Sequence, residues 1–136
     1  MRSFIDTNVL VYLVDSRDAR KQGVAEEIVE GALSERLDCR ISVQTLTEFS
    51  NVCLKKLGTG KATISAFLDC FDDLPLVRTD AQTVKTALEI KARYGIQFYD
   101  AMMIAAAIES GCDEILSEDL NEGQCYGGVV AHNPFA

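Results

Sequence analysis

The chain has 136 residues, 48% of them hydrophobic, and a formal charge of −8. That length suits one domain that buries roughly two-thirds of its unfolded surface, and the acid excess argues against a simple cationic face for duplex nucleic acid. The charge is uneven: residues 1–93 hold all 13 basic side chains against 14 acidic ones, while residues 94–136 hold seven acidic and none basic, so the second part suits a cation partner better than an anion.

Ser3-Phe4-Ile5-Asp6 is a short apolar run stopped by the turn-prone Thr7-Asn8, and reads as a first strand. Val9 to Val14 is too apolar to be exposed; it fits a buried short helix or a continued strand, which periodicity does not separate. From about Ala19 to Leu37, Val24, Ile28, Leu33 and Leu37 recur at helical spacing. Arg40-Ile41-Ser42-Val43 reads as a strand. Leu46, Phe49, Cys53 and Leu57 mark a helix ended by Gly58, and Ile64, Phe67, Leu68 and Phe71 mark the next. A strand at Leu76-Val77 follows Pro75. Asp80 is the expected N-cap of a helix through Val84, Leu88 and Ala92 that stops at Gly95. Gln97 to Ser110 forms an Ala-rich helix closed by Gly111. Ile115-Leu116 and Val129-Val130 complete the strands. Strands separated by helices along the whole length indicate a parallel α/β sandwich, a single domain over residues 1–136 without linker or repeat.

The longest apolar stretch, Ala101 to Ile108, is far too short for a membrane span. Asp6 and Asp15 interrupt the N-terminal apolar run and no cleavage-like site follows, so no signal peptide and no membrane association are expected. Five cysteines at wide, irregular spacings without a C-x-x-C pair fit buried free thiols in a reducing cytoplasm. His132, the only histidine, lies near the end of the chain, which disfavours a His-based triad or a two-His metal site. Gly58-Thr59-Gly60-Lys61 imitates a phosphate loop, but Lys55 stands where that loop needs a glycine, and a helix precedes it where a strand is required.

Four acids stand where elements turn over: Asp6 and Asp119 after strands, Glu48 and Asp100 in the first turns of helices. In an open α/β sheet such positions converge on one crevice at the carboxyl ends of the strands. Like charges at ~4 Å cost on the order of 4 kcal/mol at an effective dielectric of 20, and a hard cation such as Mg²⁺ or Mn²⁺ would relieve that repulsion. Each acid also has a structural reading. Asp6 fits a turn, Thr45-x-x-Glu48 fits a capping box, and Asp100 fits the positive end of a helix dipole. Beside Asp119, Glu118 competes for the inward position, but strand alternation sets Ser117 and Asp119 on one side and Glu118 on the other.

Four segments together carry a family resemblance: Phe4-Ile5-Asp6-Thr7-Asn8, Ile41 through Phe49, Phe98-Tyr99-Asp100-Ala101, and Leu116-Ser117-Glu118-Asp119-Leu120. In this order the chain resembles the PIN-domain family, and within it the VapC-type toxin ribonucleases of prokaryotic toxin–antitoxin pairs. The resemblance implies a three-layer sandwich with a central five-stranded parallel sheet flanked by helices, and a metal-dependent nuclease centre. It assigns Asp6, Glu48 and Asp100 to a Mg²⁺ or Mn²⁺ site, with Asp119 as fourth acid and Asn8 and Ser117 in support. Asp6 and Asp100 would be chief ligands, and Glu48 would bind metal or orient the attacking water. It further implies an RNA substrate, single-stranded or looped, a cognate antitoxin protein and a homodimer.

Lys55, Lys56 and Lys61, and separately Arg17, Arg20 and Lys21, form basic groups that read more readily as solvated helix faces than as phosphate contacts. Tyr12 and Tyr99 are the candidates for base stacking. Val9, Leu13 and Leu33 are candidates to face a partner. Two other functions compete: an Asp-nucleophile phosphohydrolase using Asp6, for which the accompanying Lys and Thr pattern is missing, and a non-catalytic PIN-like interaction protein, which loss of an acid would favour.

Overall fold

The computed structural model describes the whole chain, Met1–Ala136. Its elements run β1 (Arg2–Ile5), α1 (Thr7–Val11), α2 (Ala19–Leu33), β2 (Asp38–Ser42), α3 (Val43–Lys55), α4 (Lys61–Phe71), β3 (Leu76–Val77), α5 (Ala81–Tyr94), α6 (Phe98–Glu109), β4 (Glu114–Leu116), β5 (Cys125–Tyr126) and β6 (Val129–His132). They form one sheet of order β3-β2-β1-β4-β6-β5. The first five of these pair in parallel, with Phe4 opposite Arg40 on one side and Ile115 on the other. The expected five parallel strands are therefore present. A sixth, β5, adds antiparallel to β6 through the Gly127-Gly128 turn and makes the sheet mixed. Its two residues, Cys125-Tyr126, lie between Gln124 and Gly127 with no apolar run to mark a strand in the sequence.

Alternation along the strands distributes the core to both faces. Phe4 and Ile115 pack with Ala87, Ile90 and the alanines of α6. Ile5, Ile41 and Leu116 point the other way, to Val9, Val29, Phe49 and Phe71. The ring of Phe49 meets those of Phe71 and Phe67 edge-on at 5.2 and 6.1 Å. Helix α6 is apolar on nearly every side and is accordingly buried, with Ala101, Ala105 and Ala107 wholly inaccessible. No helix is long and apolar enough to cross a membrane.

Caps fix where several helices start. Asp80 accepts from the amides of Gln82 and Thr83, and Gly95 ends α5 at φ 67°, both as expected. Five expectations need correction. Helix α2 stops at Leu33, because Ser34 leaves the helix and Glu35 takes φ 62°, so Leu37 lies beyond it. Helix α3 begins at Val43: Ser42 caps it and forms the capping box with Thr45. Glu48 therefore has no capping role and sits in the second turn, not the first. Val9 is wholly buried in the core and cannot face a partner, whereas Leu13 and Leu33 remain half-buried along an apolar groove. Only three of the five cysteines are buried; Cys70 and Cys125 are exposed, and all five thiols are free.

Candidate metal centre

Asp6 and Ser117 continue their strands by one residue. The Asp6 amide donates to the Leu116 carbonyl and the Ser117 amide to the His132 carbonyl, each at 3.0 Å. Both side chains thus emerge at the carboxyl edge of the sheet beside its central strands, where the α/β topology opens a crevice. Asp6 is only 5% exposed and Ser117 is fully buried. The carboxylate of Asp6 is held by the Thr7 amide at 2.6 Å and the Ser117 hydroxyl at 2.7 Å. Asn8 spans the next gap: its Nδ2 lies 3.3 Å from Asp6 Oδ2 and 3.1 Å from Asp119 Oδ2. Asp6 and Asp119 are therefore separated by a single amide nitrogen. Ser117 Oγ also accepts from the Asp119 amide at 3.1 Å, which fixes the loop after β4.

Glu48 reaches the same crevice from α3. Its Oε1 accepts from Gln44 Nε2 at 2.9 Å and its Oε2 from the Thr7 hydroxyl at 3.2 Å. The Gln44 amide also donates to the Tyr99 carbonyl at 2.9 Å, tying α3 to the start of α6. Asp100, in the first turn of α6, is half-buried and completes the set. Asp6, Glu48, Asp100 and Asp119 all line one cavity of about 380 Å³.

The charges in it oppose one another. Burial pushes the Asp6 carboxyl up to about 7; its bonds from Ser117 and Thr7 pull the other way, and the charges of Asp100 and Asp119 add to the rise. Burial, then Asp119 and Glu48, likewise raise Asp100. No three His, Cys, Asp or Glu side chains stand close enough together to enclose an ion by themselves. The donor set still fits a hard cation. All four groups are carboxylates, Asp6 and Asp100 are raised by burial first and by neighbouring acids second, and Mg²⁺ characteristically binds through one or two carboxylates while keeping several waters.

The rim is neutralised differently. Strand alternation does not separate Glu118 from Asp119, because β4 ends at Leu116 and both acids line the crevice. Glu118 is instead neutralised by Lys21, whose Nζ also donates to the Tyr12 hydroxyl at 3.2 Å. Burial raises Glu118, but the bonds from Lys21 and Tyr12 outweigh it and the net shift is downward. Arg17 grips Asp15 through two nitrogens at 2.8 and 2.9 Å and holds that carboxyl down at about 2. His132 is exposed and faces Glu122, outside the crevice. Gln44 and Thr7 are the site residues that sequence reasoning missed. The i, i+4 spacing of Gln44 and Glu48 was a usable signal, since such pairs meet on a helix; nothing in the sequence places Thr7 against Glu48, 41 residues on.

The family model of the PIN domain matches residues 3–121, nearly the whole chain. This chain belongs to the PIN-domain family. Its fold is also that of solved VapC structures. A sarcin-ricin-loop-cleaving VapC toxin of Mycobacterium tuberculosis is similar at 21% identity and TM-score 0.66, over 86% of this chain and 91% of that one. The DNA-bound VapBC complex of Salmonella typhimurium is similar at 20% identity and TM-score 0.70, over 98% of each chain. A toxin–antitoxin complex from Klebsiella pneumoniae matches at 17% identity and TM-score 0.70, over 97% of each. A comparison with curated protein sequences finds no match. At these identities the solved structures establish a shared PIN fold.

Proposed function

We propose that this protein is a Mg²⁺- or Mn²⁺-dependent endoribonuclease, a single PIN domain over residues 1–136, acting in the cytoplasm as the toxin of a toxin–antitoxin pair. The observation that carries the reading is the convergence of Asp6, Glu48, Asp100 and Asp119 on one crevice, with the most buried of them raised toward neutrality. A set of mutually repelling carboxylates in a cleft is a candidate for function and not for stability. Asp6 and Asp100 would hold the ion, with Glu48 and Asp119 completing its surroundings through water. When bound there, a divalent ion supplies a Lewis acid for the phosphate and lowers the pKa of water at neutral pH.

The chain's own residues do the rest. Ser117 and the Thr7 amide fix the oxygens of Asp6. Asn8 ties the exposed carboxylate of Asp119 to the same crevice. Gln44 and Thr7 hold both oxygens of Glu48, so this acid is aimed into the crevice and can accept a proton from an attacking water. Such fixed orientation of acids by neighbouring donors is worth 10–100-fold in metal affinity or activity in characterised sites. A cognate antitoxin protein as partner fits the similar structures solved as toxin–antitoxin complexes, and a homodimer is part of the same proposal.

The test is cleavage of RNA by wild type and Asp100→Asn with Mn²⁺. Asp100 is half-exposed, so the change leaves the buried network of Asp6 intact. Wild type is expected to cut internally and to stop when the metal is chelated, with the variant at least 100-fold slower. Equal rates, or cleavage that survives chelation, would reject the assignment.

A further inference from the structure

The cleft distinguishes between the two aromatic candidates for base contact. Tyr12 is engaged: its ring packs edge-on against Phe135 at 4.9 Å and its hydroxyl accepts from Lys21. Tyr94 and Tyr126 pack on each other at 5.1 Å. Tyr99 is 63% exposed, the only aromatic side chain in the chain that is mainly open to solvent, and it lies on the wall of the acid cleft. Its backbone is anchored there: the carbonyl accepts from Gln44, and Asp100 follows it directly. Phe98 supports the ring edge-on at 5.6 Å and leaves a face uncovered.

Charge pairing singles out one cation. Of the basic residues on the cleft wall, Arg17 is held by Asp15, while Lys56 has no carboxylate partner. Lys56 caps the C-terminal end of α3, the helix that carries Glu48, and a helical rise of ~1.5 Å per residue sets it about 12 Å from Glu48 along the axis. Beyond it the cleft continues into a second hollow that shares Asp15, Arg17, Lys56 and Leu57 with the first. A polyanion leaving the acids in this direction meets its first free positive charge at Lys56.

We propose that Tyr99 stacks one nucleobase of the bound strand on its open face and that Lys56 holds a phosphate beyond the reacting one. The inference rests on the nuclease reading for which phosphate reacts. The single-stranded or looped substrate comes with the family resemblance; the two contacts, by residues outside the four acids, are new. Stacking on Tyr99 requires a base whose face is free, which the interior of a duplex does not offer, and single-strand grooves combine aromatic stacking faces with positive charge along the backbone.

The experiment measures binding of a cleavage-resistant single-stranded oligoribonucleotide, and of a duplex of the same sequence, to the full chain and three variants over a salt series. Tyr99→Ala is expected to weaken single-strand binding about 5- to 150-fold, the range of base–aromatic stacking. Tyr99→Phe keeps the ring and stays within about twofold by the same reasoning. Lys56→Ala lowers the slope of log Kd against log salt by about 0.7, the loss of one phosphate contact to a single strand. The chain has no tryptophan, so Tyr99→Trp supplies a lone fluorophore that single strands quench and the duplex does not. Both side chains are exposed, and an unchanged melting temperature verifies folding. Unaltered binding in Tyr99→Ala, equal damage in Tyr99→Phe, an unchanged salt slope in Lys56→Ala, or a duplex bound as well as the single strand would overturn the proposal. Failure of the nuclease reading looks different: binding that depends on Tyr99 and Lys56 but no metal-dependent cleavage.

Discussion

Removing the charge of Asp6 is expected to stabilise the metal-free protein. The carboxyl is raised from 3.8 to about 7, so between those values the folded state binds the proton that the unfolded state has released. Stability from this group is therefore undiminished below about pH 4, falls as pH rises toward 7, and above that carries the whole penalty. Three pKa units correspond to about 4 kcal/mol at 1.36 kcal/mol each. Asp6→Asn removes that penalty. The new amide keeps an acceptor for the Thr7 amide but turns a donor toward Ser117 and Asn8, at a cost of about 1–2 kcal/mol for disturbed hydrogen bonds. The net gain is about 2 kcal/mol at pH 8, or roughly 6–10 °C in Tm for a chain of this length. The assay is thermal denaturation with chelator at pH 8 and pH 4.5: the variant melts higher at pH 8, and the gap narrows or reverses at pH 4.5. With Mn²⁺ added at pH 8 the wild type gains stability and the variant gains much less. A variant less stable than wild type at pH 8 without metal would refute the electrostatic reasoning.

Other outcomes follow from the same contacts. Ser117→Ala deletes the shortest side-chain bond to Asp6 and should weaken Mn²⁺ binding, measured by calorimetry, about 10–100-fold. Gln44→Ala frees Glu48 and the Tyr99 carbonyl, and cleavage should fall about tenfold or more while the Mn²⁺ affinity of the Asp6 side changes little. Phe49→Ala empties the centre of the aromatic cluster on one sheet face and should cost about 3–5 kcal/mol in urea unfolding. Asp80→Ala removes the cap of α5 and should cost about 0.5–2 kcal/mol by the same measurement.

The sequence carried the site further than it carried the element ends. Asp6 was legible because an acid at the tip of an apolar strand needs a partner. Alternation was no guide to Glu118 and Asp119, since β4 ends at Leu116 and both acids line the crevice, Glu118 paired with Lys21. Glu48 was legible only through the motif that surrounds it. Its local signal, a threonine three residues earlier, pointed to a capping box that the structure builds one turn earlier from Ser42 and Thr45. Leu37 matched the helical period of α2 by spacing alone, and the left-handed turn at Glu35 that ends the helix leaves no glycine to mark it. Val9 could not be told from a partner-facing residue, since burial by the opposite helices is set by tertiary packing. The ties of Thr7 to Glu48 and of Lys21 to Glu118 span 41 and 97 residues, and only the folded backbone brings such pairs together.

A divalent ion is expected to bind among these four carboxylates. Anomalous diffraction from crystals grown with Mn²⁺ tests it directly. A manganese peak is expected in the crevice between Asp6 and Asp100, lost in crystals of Asp6→Asn. Manganese bound elsewhere, or a peak that persists unchanged in the variant, would contradict it.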